Sequence, residues 1–131
     1  MEAELVWDGD ERFHARVGER ELVLDGNKAA GPSPVDVLAA GLAGCMAIDL
    51  ALILSKGRQP LKGLRAKLRA ERAESSPRRV EKVDLHFIVQ GDVETDKVER
   101  AIALSRSTYC SVWHSLRQDI EFRTTFEILP G

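Results

Sequence analysis

An α+β domain with antiparallel strands packed around a buried central helix, in the order β-α-β-α-β, is the fold this chain predicts. Three observations lead there. Short alternating apolar/polar stretches occupy residues 3–24, 63–89 and 120–128. An apolar, glycine-punctuated stretch from Val35 to about Lys56 separates the first two groups. An amphipathic stretch from Thr95 to Tyr109 precedes the last alternating segment. Alternation at period two marks half-buried strands, and the 3.6-residue period marks helices. A chain of 131 residues makes one domain, 1–131, with enough core to need no staples. A net charge of -2 with 31% charged residues argues against nucleic-acid partners, whose binders are clearly basic.

The elements follow in order. Ala3, Leu5 and Trp7, then Phe13, Ala15 and Val17, then Leu22 and Leu24 alternate with polar neighbours. They read as two or three antiparallel strands joined by turns at Asp8-Gly9-Asp10 and Gly18-Glu19. After the loop 28–32, Ser33 is a good N-cap and Pro34 suits the first helical position. Asp36 completes a capping box. The helix so started runs to about Lys56, with Gly57 as its stop. It is apolar on nearly every side from Val37 to Leu54, so it is expected to be buried. Residues 63–73 alternate cleanly. After a turn at Ser75-Ser76-Pro77, Val83, Leu85, Phe87 and Val89 do the same, which gives a long hairpin with one wet face. Thr95 or Asp96 caps a helix whose stripe is Val98, Ala101, Ile102, Ser105 and Tyr109, and which Cys110 ends. Ile120 to Ile128 is the last strand. An all-round apolar helix needs more cover than so few strands supply, so a homodimer is expected.

The opening residues Met1–Trp7 are acidic and lack a signal-peptide pattern. The run Val37–Ile48 is too short to cross a bilayer and lies between Asp36 and Asp49. A cytoplasmic protein without membrane or nucleic-acid partners is therefore expected. In that compartment a permanent disulfide is out of place, so a cysteine pair that oxidises should be transient and functional. The chain has two cysteines, Cys45 deep in the apolar helix and Cys110 after the second helix. Free cysteine is also among the most buried residue types, and a packing role stands beside the chemical one.

A nucleophilic Cys45 must be a thiolate, which requires lowering a pKa of about 8.5. Cys45 lies about three turns inside its helix, beyond the reach of the helix dipole. A guanidinium is the remaining activator. Arg12, with Arg16 beside it on the N-terminal strands, is the nearest plausible source. Asp49 lies one turn past Cys45 on the same helical face. An acid in an apolar helix needs a partner, most simply an arginine, and an Arg–Asp49 pair would hold a guanidinium over the Cys45 sulfur. Left unpaired, Asp49 would raise the thiol pKa. His14 and His86 read as surface residues on strands. Cys110 and His114 are four apart, with no further ligands for a zinc site. The Gly41–Gly44 stretch has the spacing of an RNA-clamping loop, but its flanks are apolar rather than basic.

The stretch Gly31–Cys45 (GPSPVDVLAAGLAGC), followed by Tyr109–Val112 (YCSV), resembles the OsmC/Ohr family of thiol-dependent hydroperoxide reductases. The order of strands and helices fits along essentially the whole chain. The resemblance implies an intertwined homodimer with active sites at the subunit interface. It also implies that Cys45 attacks the peroxide and becomes a sulfenic acid, which Cys110 resolves to a disulfide. A small or protein-bound dithiol, often dihydrolipoyl, then reduces that disulfide, and no bound cofactor is involved. Members that confer organic hydroperoxide resistance carry a glutamate directly after the proline, where this chain has Val35 with Asp36 one place later. That glutamate holds the catalytic arginine, and Asp49 is the expected replacement. The motif also resembles an OsmC-like branch with an aspartate four residues after the cysteine. The expected activity is reduction of organic hydroperoxides in oxidative-stress defence. The alternative is a dithiol redox sensor, or a small-ligand-binding protein of the same fold.

Overall fold

A computed structural model describes residues Met1–Gly131. The chain forms two compact units, Met1–Ala39 and Ala40–Gly131.

The first unit is a three-stranded antiparallel meander of β1 (Ala3–Trp7), β2 (Arg12–Val17) and β3 (Arg20–Asp25). The expected turns are where the alternation breaks. Val17 pairs with Arg20, leaving Gly18-Glu19 as a two-residue hairpin loop. Gly18 has φ +59°, a left-handed conformation that favours glycine. Every residue of β1 is exposed. Asp25 at the end of β3 is buried, and its carboxylate accepts the backbone N–H groups of Asn27 (3.2 Å) and Ala30 (2.9 Å). Those two backbone hydrogen bonds satisfy the buried side chain and shape the loop that leads into the long helix. Gly31 in that loop has no room for a side chain, since a Cβ would lie 2.5 Å from the Val23 carbonyl oxygen.

Helix α1 (Pro34–Lys56) begins in the first unit and continues into the second. Its capping box forms as expected. The Ser33 Oγ accepts the Asp36 N–H at 3.1 Å, and the Asp36 carboxylate accepts the Ser33 N–H at 3.0 Å. At 23 residues α1 is long and apolar enough to cross a bilayer by length and composition. The run Val37–Ile48 alone is too short for this, but the helix continues past Asp49. The core helix of a soluble protein passes the same test, and one stripe of α1 does pack in a core. Leu42, Met46, Leu50 and Leu54, four apart, are buried there. Ile48 and Leu52 on the remaining surface are exposed.

The second unit contains β4 (Leu61–Arg72), β5 (Val80–Gly91) and β6 (Glu121–Leu129) in the order β4-β5-β6. Val83, Leu85, Phe87 and Val89 of β5 are buried, while Arg65, Lys67 and Arg69 of β4 stay in water. Burying side chains of that size stabilises by about 1.5–3 kcal/mol each. β4 and β5 pair antiparallel, as the hairpin requires. β6 departs from the antiparallel expectation and pairs parallel with β5, Phe122 opposite Val83 and Phe126 opposite Phe87. The connection explains it. Between β5 and β6 the chain passes through helical segments that return it to the end where β5 began, which makes a crossover rather than a hairpin.

That crossover also differs in detail from expectation. Helix α2 (Thr95–Leu104) has Glu94 as its N-cap, not Thr95 or Asp96. Gln59 fixes this boundary, because its Oε1 accepts the Glu94 N–H at 3.0 Å and its Nε2 donates to the Glu94 carboxylate at 3.2 Å. The helix does not run on to Cys110. It passes into a π-helical turn, Ser105–Tyr109, in which Tyr109 is exposed rather than part of the buried stripe. Cys110 is then the N-cap of a short helix, α3 (Ser111–His114).

Candidate active site

Helix α1 carries Cys45 one residue before the buried Met46 and leaves its side chain partly exposed. Asp49 follows one turn later, on the same face. Cys110 stands at the junction of the π-helical turn and α3 and is fully buried. Both cysteines are free thiols.

The two meet in the second unit. Burial pushes the Cys110 thiol up to about 11, and interaction with the Cys45 sulfur and the Asp49 charge pushes the same way. A hydrogen bond from the Trp113 N–H to the Cys110 Sγ, at 3.4 Å, opposes the rise. Cys110 is therefore a neutral, desolvated thiol beside a more accessible one. The Asp49 partner was expected to be an arginine. The partner found for it in this unit is Ser105, whose Oγ donates to Asp49 Oδ2 at 2.7 Å.

In the sequence Ser105 belongs to the apolar stripe of α2, where no role attaches to it. A polar side chain on an apolar stripe needs a partner, and that was the available signal. The π-helical turn accounts for its position. A π turn inserts one residue, so the Ser105 carbonyl accepts the N–H of Cys110, five residues on, at 2.8 Å. Ser105 thus binds the Cys110 backbone with its carbonyl and the Cys45 helix with its hydroxyl. In the same turn the Arg106 guanidinium lies 4.7 Å from the Phe122 ring centre and 5.6 Å from that of Trp113. Trp113 and Phe122 stack tilted at 4.7 Å. These aromatic contacts hold the turn against β6. No alternation or helical stripe in the sequence marks Arg106.

Arg12 lies in the first unit on β2. Its Nη2 donates to the Asp8 carbonyl at 3.2 Å, and its Nε is 3.5 Å from the Asp8 carboxylate. His14 Nε2 meets the same carboxylate at 3.0 Å, and Arg16 pairs with Glu21 at 3.2 Å. His86 lies on the wet face of the second sheet, bonded to Thr125 at 2.8 Å. His114 is exposed, and its backbone N–H bonds the Cys110 carbonyl at 3.0 Å.

Comparison with known proteins gives the family and the fold. The family model described as OsmC-like protein matches residues 25–125. The Escherichia coli protein YhfA is 35% identical over 134 residues, covering all of both chains. A crystal structure of an Aquifex aeolicus protein superposes with a TM-score of 0.92 at 25% identity, covering 99% of this chain and 96% of that one. The fold is also that of a Legionella pneumophila organic hydroperoxide resistance protein OsmC. There the TM-score is 0.72 at 16% identity, covering 95% of this chain and 94% of the other.

Proposed function

This chain belongs to the OsmC-like (OsmC/Ohr) family, and on that premise we propose that it is a cysteine-based peroxidase that reduces organic hydroperoxides to alcohols. The observation that carries the reading is the unequal thiol pair, a partly exposed Cys45 beside a fully buried Cys110. The Cys45 thiolate attacks one oxygen of the O–O bond. It becomes the sulfenic acid, and the alkoxide leaves and is protonated to the alcohol. The Cys110 sulfur, giving up its proton, then attacks the Cys45 sulfur, forming the S–S bond as the S–O bond breaks and water is released. An external dithiol, dihydrolipoyl by family resemblance, restores both thiols and is itself oxidised to a disulfide. No bound cofactor enters the cycle. Arg12, which pairs with Asp8 within the first unit, is the guanidinium proposed to activate Cys45, and Val35 stands where the family's glutamate would hold it.

Leu42, Met46 and Ile48 flank Cys45 along α1, and apolar surroundings favour an alkyl hydroperoxide over hydrogen peroxide. A homodimer is part of the proposal. Ile48 and Leu52 of α1 and Leu5, Val6 and Trp7 of β1 leave apolar surface in water that a second copy would cover. A cytoplasmic location suits a cycle that depends on a reduced dithiol.

One observation favours the slower alternative, a dithiol redox sensor or small-ligand-binding protein. The same burial that shields Cys110 keeps it protonated, which slows the second step. A free-thiol count before and after one equivalent of cumene hydroperoxide tests the reading. Loss of two thiols per chain within seconds, with only one lost in Cys110→Ser, is the expected result. Oxidation over many minutes without turnover in excess dithiol would favour the sensor. Two untouched thiols would end the peroxidase reading.

A further inference from the structure

We infer that Asp49 is the base that takes the Cys110 proton as this thiol attacks the Cys45 sulfenic acid, and that Ser105 is the residue that positions it. The inference rests on the peroxidase reading. Cys110 has no solvent-exposed surface, so bulk water cannot collect its proton. Only a thiolate is a competent nucleophile, and a thiol pushed up to about 11 is ionised to roughly one part in ten thousand at neutral pH. The second step therefore needs a base beside the sulfur. The groups that act on Cys110 are the Trp113 N–H and Cys45 through hydrogen bonds and, through its charge and most weakly, Asp49. Once Cys45 is a sulfenic acid, Asp49 is the one base among them.

The placement of Asp49 is built rather than incidental. It shares a helical face with Cys45, and the Ser105 hydroxyl holds its Oδ2 at 2.7 Å. The Ser105 carbonyl holds the Cys110 N–H at 2.8 Å. Ser105 is itself fully buried, and Asp49 at the other end of the hydroxyl bond is half-buried, so water reaches that bond only from the carboxylate side. One residue thereby keeps the carboxylate and the resolving cysteine in register, and the π-helical turn is what brings its two polar groups to bear on them. In the step itself the Cys110 Sγ forms the S–S bond while the S–O bond of the sulfenic acid breaks. The thiol proton passes to the Asp49 carboxylate and from there to the departing hydroxide, which leaves as water. Asp49 ends as it began.

The sign of one substitution separates this role from a passive one. As a mere neighbouring charge, Asp49 disfavours the Cys110 thiolate, so Asp49→Asn would speed disulfide formation. As the base, its loss slows that step. The Asn oxygen still accepts the Ser105 hydroxyl, so the packing is preserved.

The experiment is stopped-flow fluorescence in a Trp7→Phe background, where Trp113 reports on Cys110. One equivalent of cumene hydroperoxide is mixed with the reduced chain from pH 6 to 9, and a sulfenic-acid trap is run in parallel. Asp49→Asn should form the sulfenic acid but resolve it about a hundredfold more slowly at pH 7, a typical general-base contribution. Its rate should climb about tenfold per pH unit as hydroxide takes over, against a flatter wild-type profile. Ser105→Ala should shift both rate and profile in the same direction, and it decides the matter if Asp49→Asn does not fold. Resolution that is unchanged or faster in a folded variant would overturn the base while leaving the peroxidase reading intact. A wild-type chain that forms neither sulfenic acid nor disulfide would overturn both.

Discussion

Cys110 ionises near 9.0 when unperturbed and is pushed up to about 11 in the folded chain, first by burial. A pKa raised by folding means that the folded state disfavours the thiolate. The stability associated with the neutral thiol is complete below pH 9 and is lost as pH rises toward 11. Urea midpoints of the reduced protein should therefore fall between pH 9 and 11, and Cys110→Ala should remove that portion of the slope. Asp36 shows the opposite sign. The Ser33 N–H and the Lys28 ammonium lower its pKa below 3.8. Its contribution is present above pH 3.8 and fades as pH falls through the depressed folded value. Ser33→Ala should cost about 1 kcal/mol at neutral pH, read from chemical denaturation. Both residues of that capping box were legible in the sequence, because a cap depends only on neighbours three apart. Ser105 was not, because its partner is 56 positions away.

At the scale of elements, α1 uses one stripe for its own core and leaves another in water. Met46→Ala or Leu50→Ala should cost about 2–5 kcal/mol, the usual range for truncating a buried side chain. A polar residue at the exposed Ile48 should change the stability of a monomer by no more than about 0.5 kcal/mol. Thermal and urea unfolding of the two sets side by side measure the asymmetry. Strand and helix boundaries followed from alternation to within a few residues, but the parallel pairing of β6 did not. Alternation reports which side of a strand is apolar, and it is the same for either direction of pairing. The π-helical turn was hidden for a similar reason. Residues 105–109 read as one more turn of α2, and the inserted residue shows only in which carbonyl the Cys110 N–H finds.

For the whole molecule, exposed apolar side chains on β1 and α1 form surface that a second copy of the chain would cover. If a second copy covers them, stability depends on protein concentration and Ile48→Asp separates the copies. Sedimentation velocity at micromolar concentration should show a dimer for the native chain and a monomer for Ile48→Asp. A native monomer would remove the homodimer from the proposal.

The family, the long helix with its cap, the strand periodicities and the two thiols can all be read from the order of residues along the chain. Each of these is written in residue types at short fixed spacings. That Cys110 is buried beside Cys45, and that Ser105 bonds both Asp49 and the Cys110 backbone, emerges only once the chain is folded. Proximity between residues more than fifty positions apart is set by how the crossover packs on α1 and the sheet, and no local pattern encodes that distance.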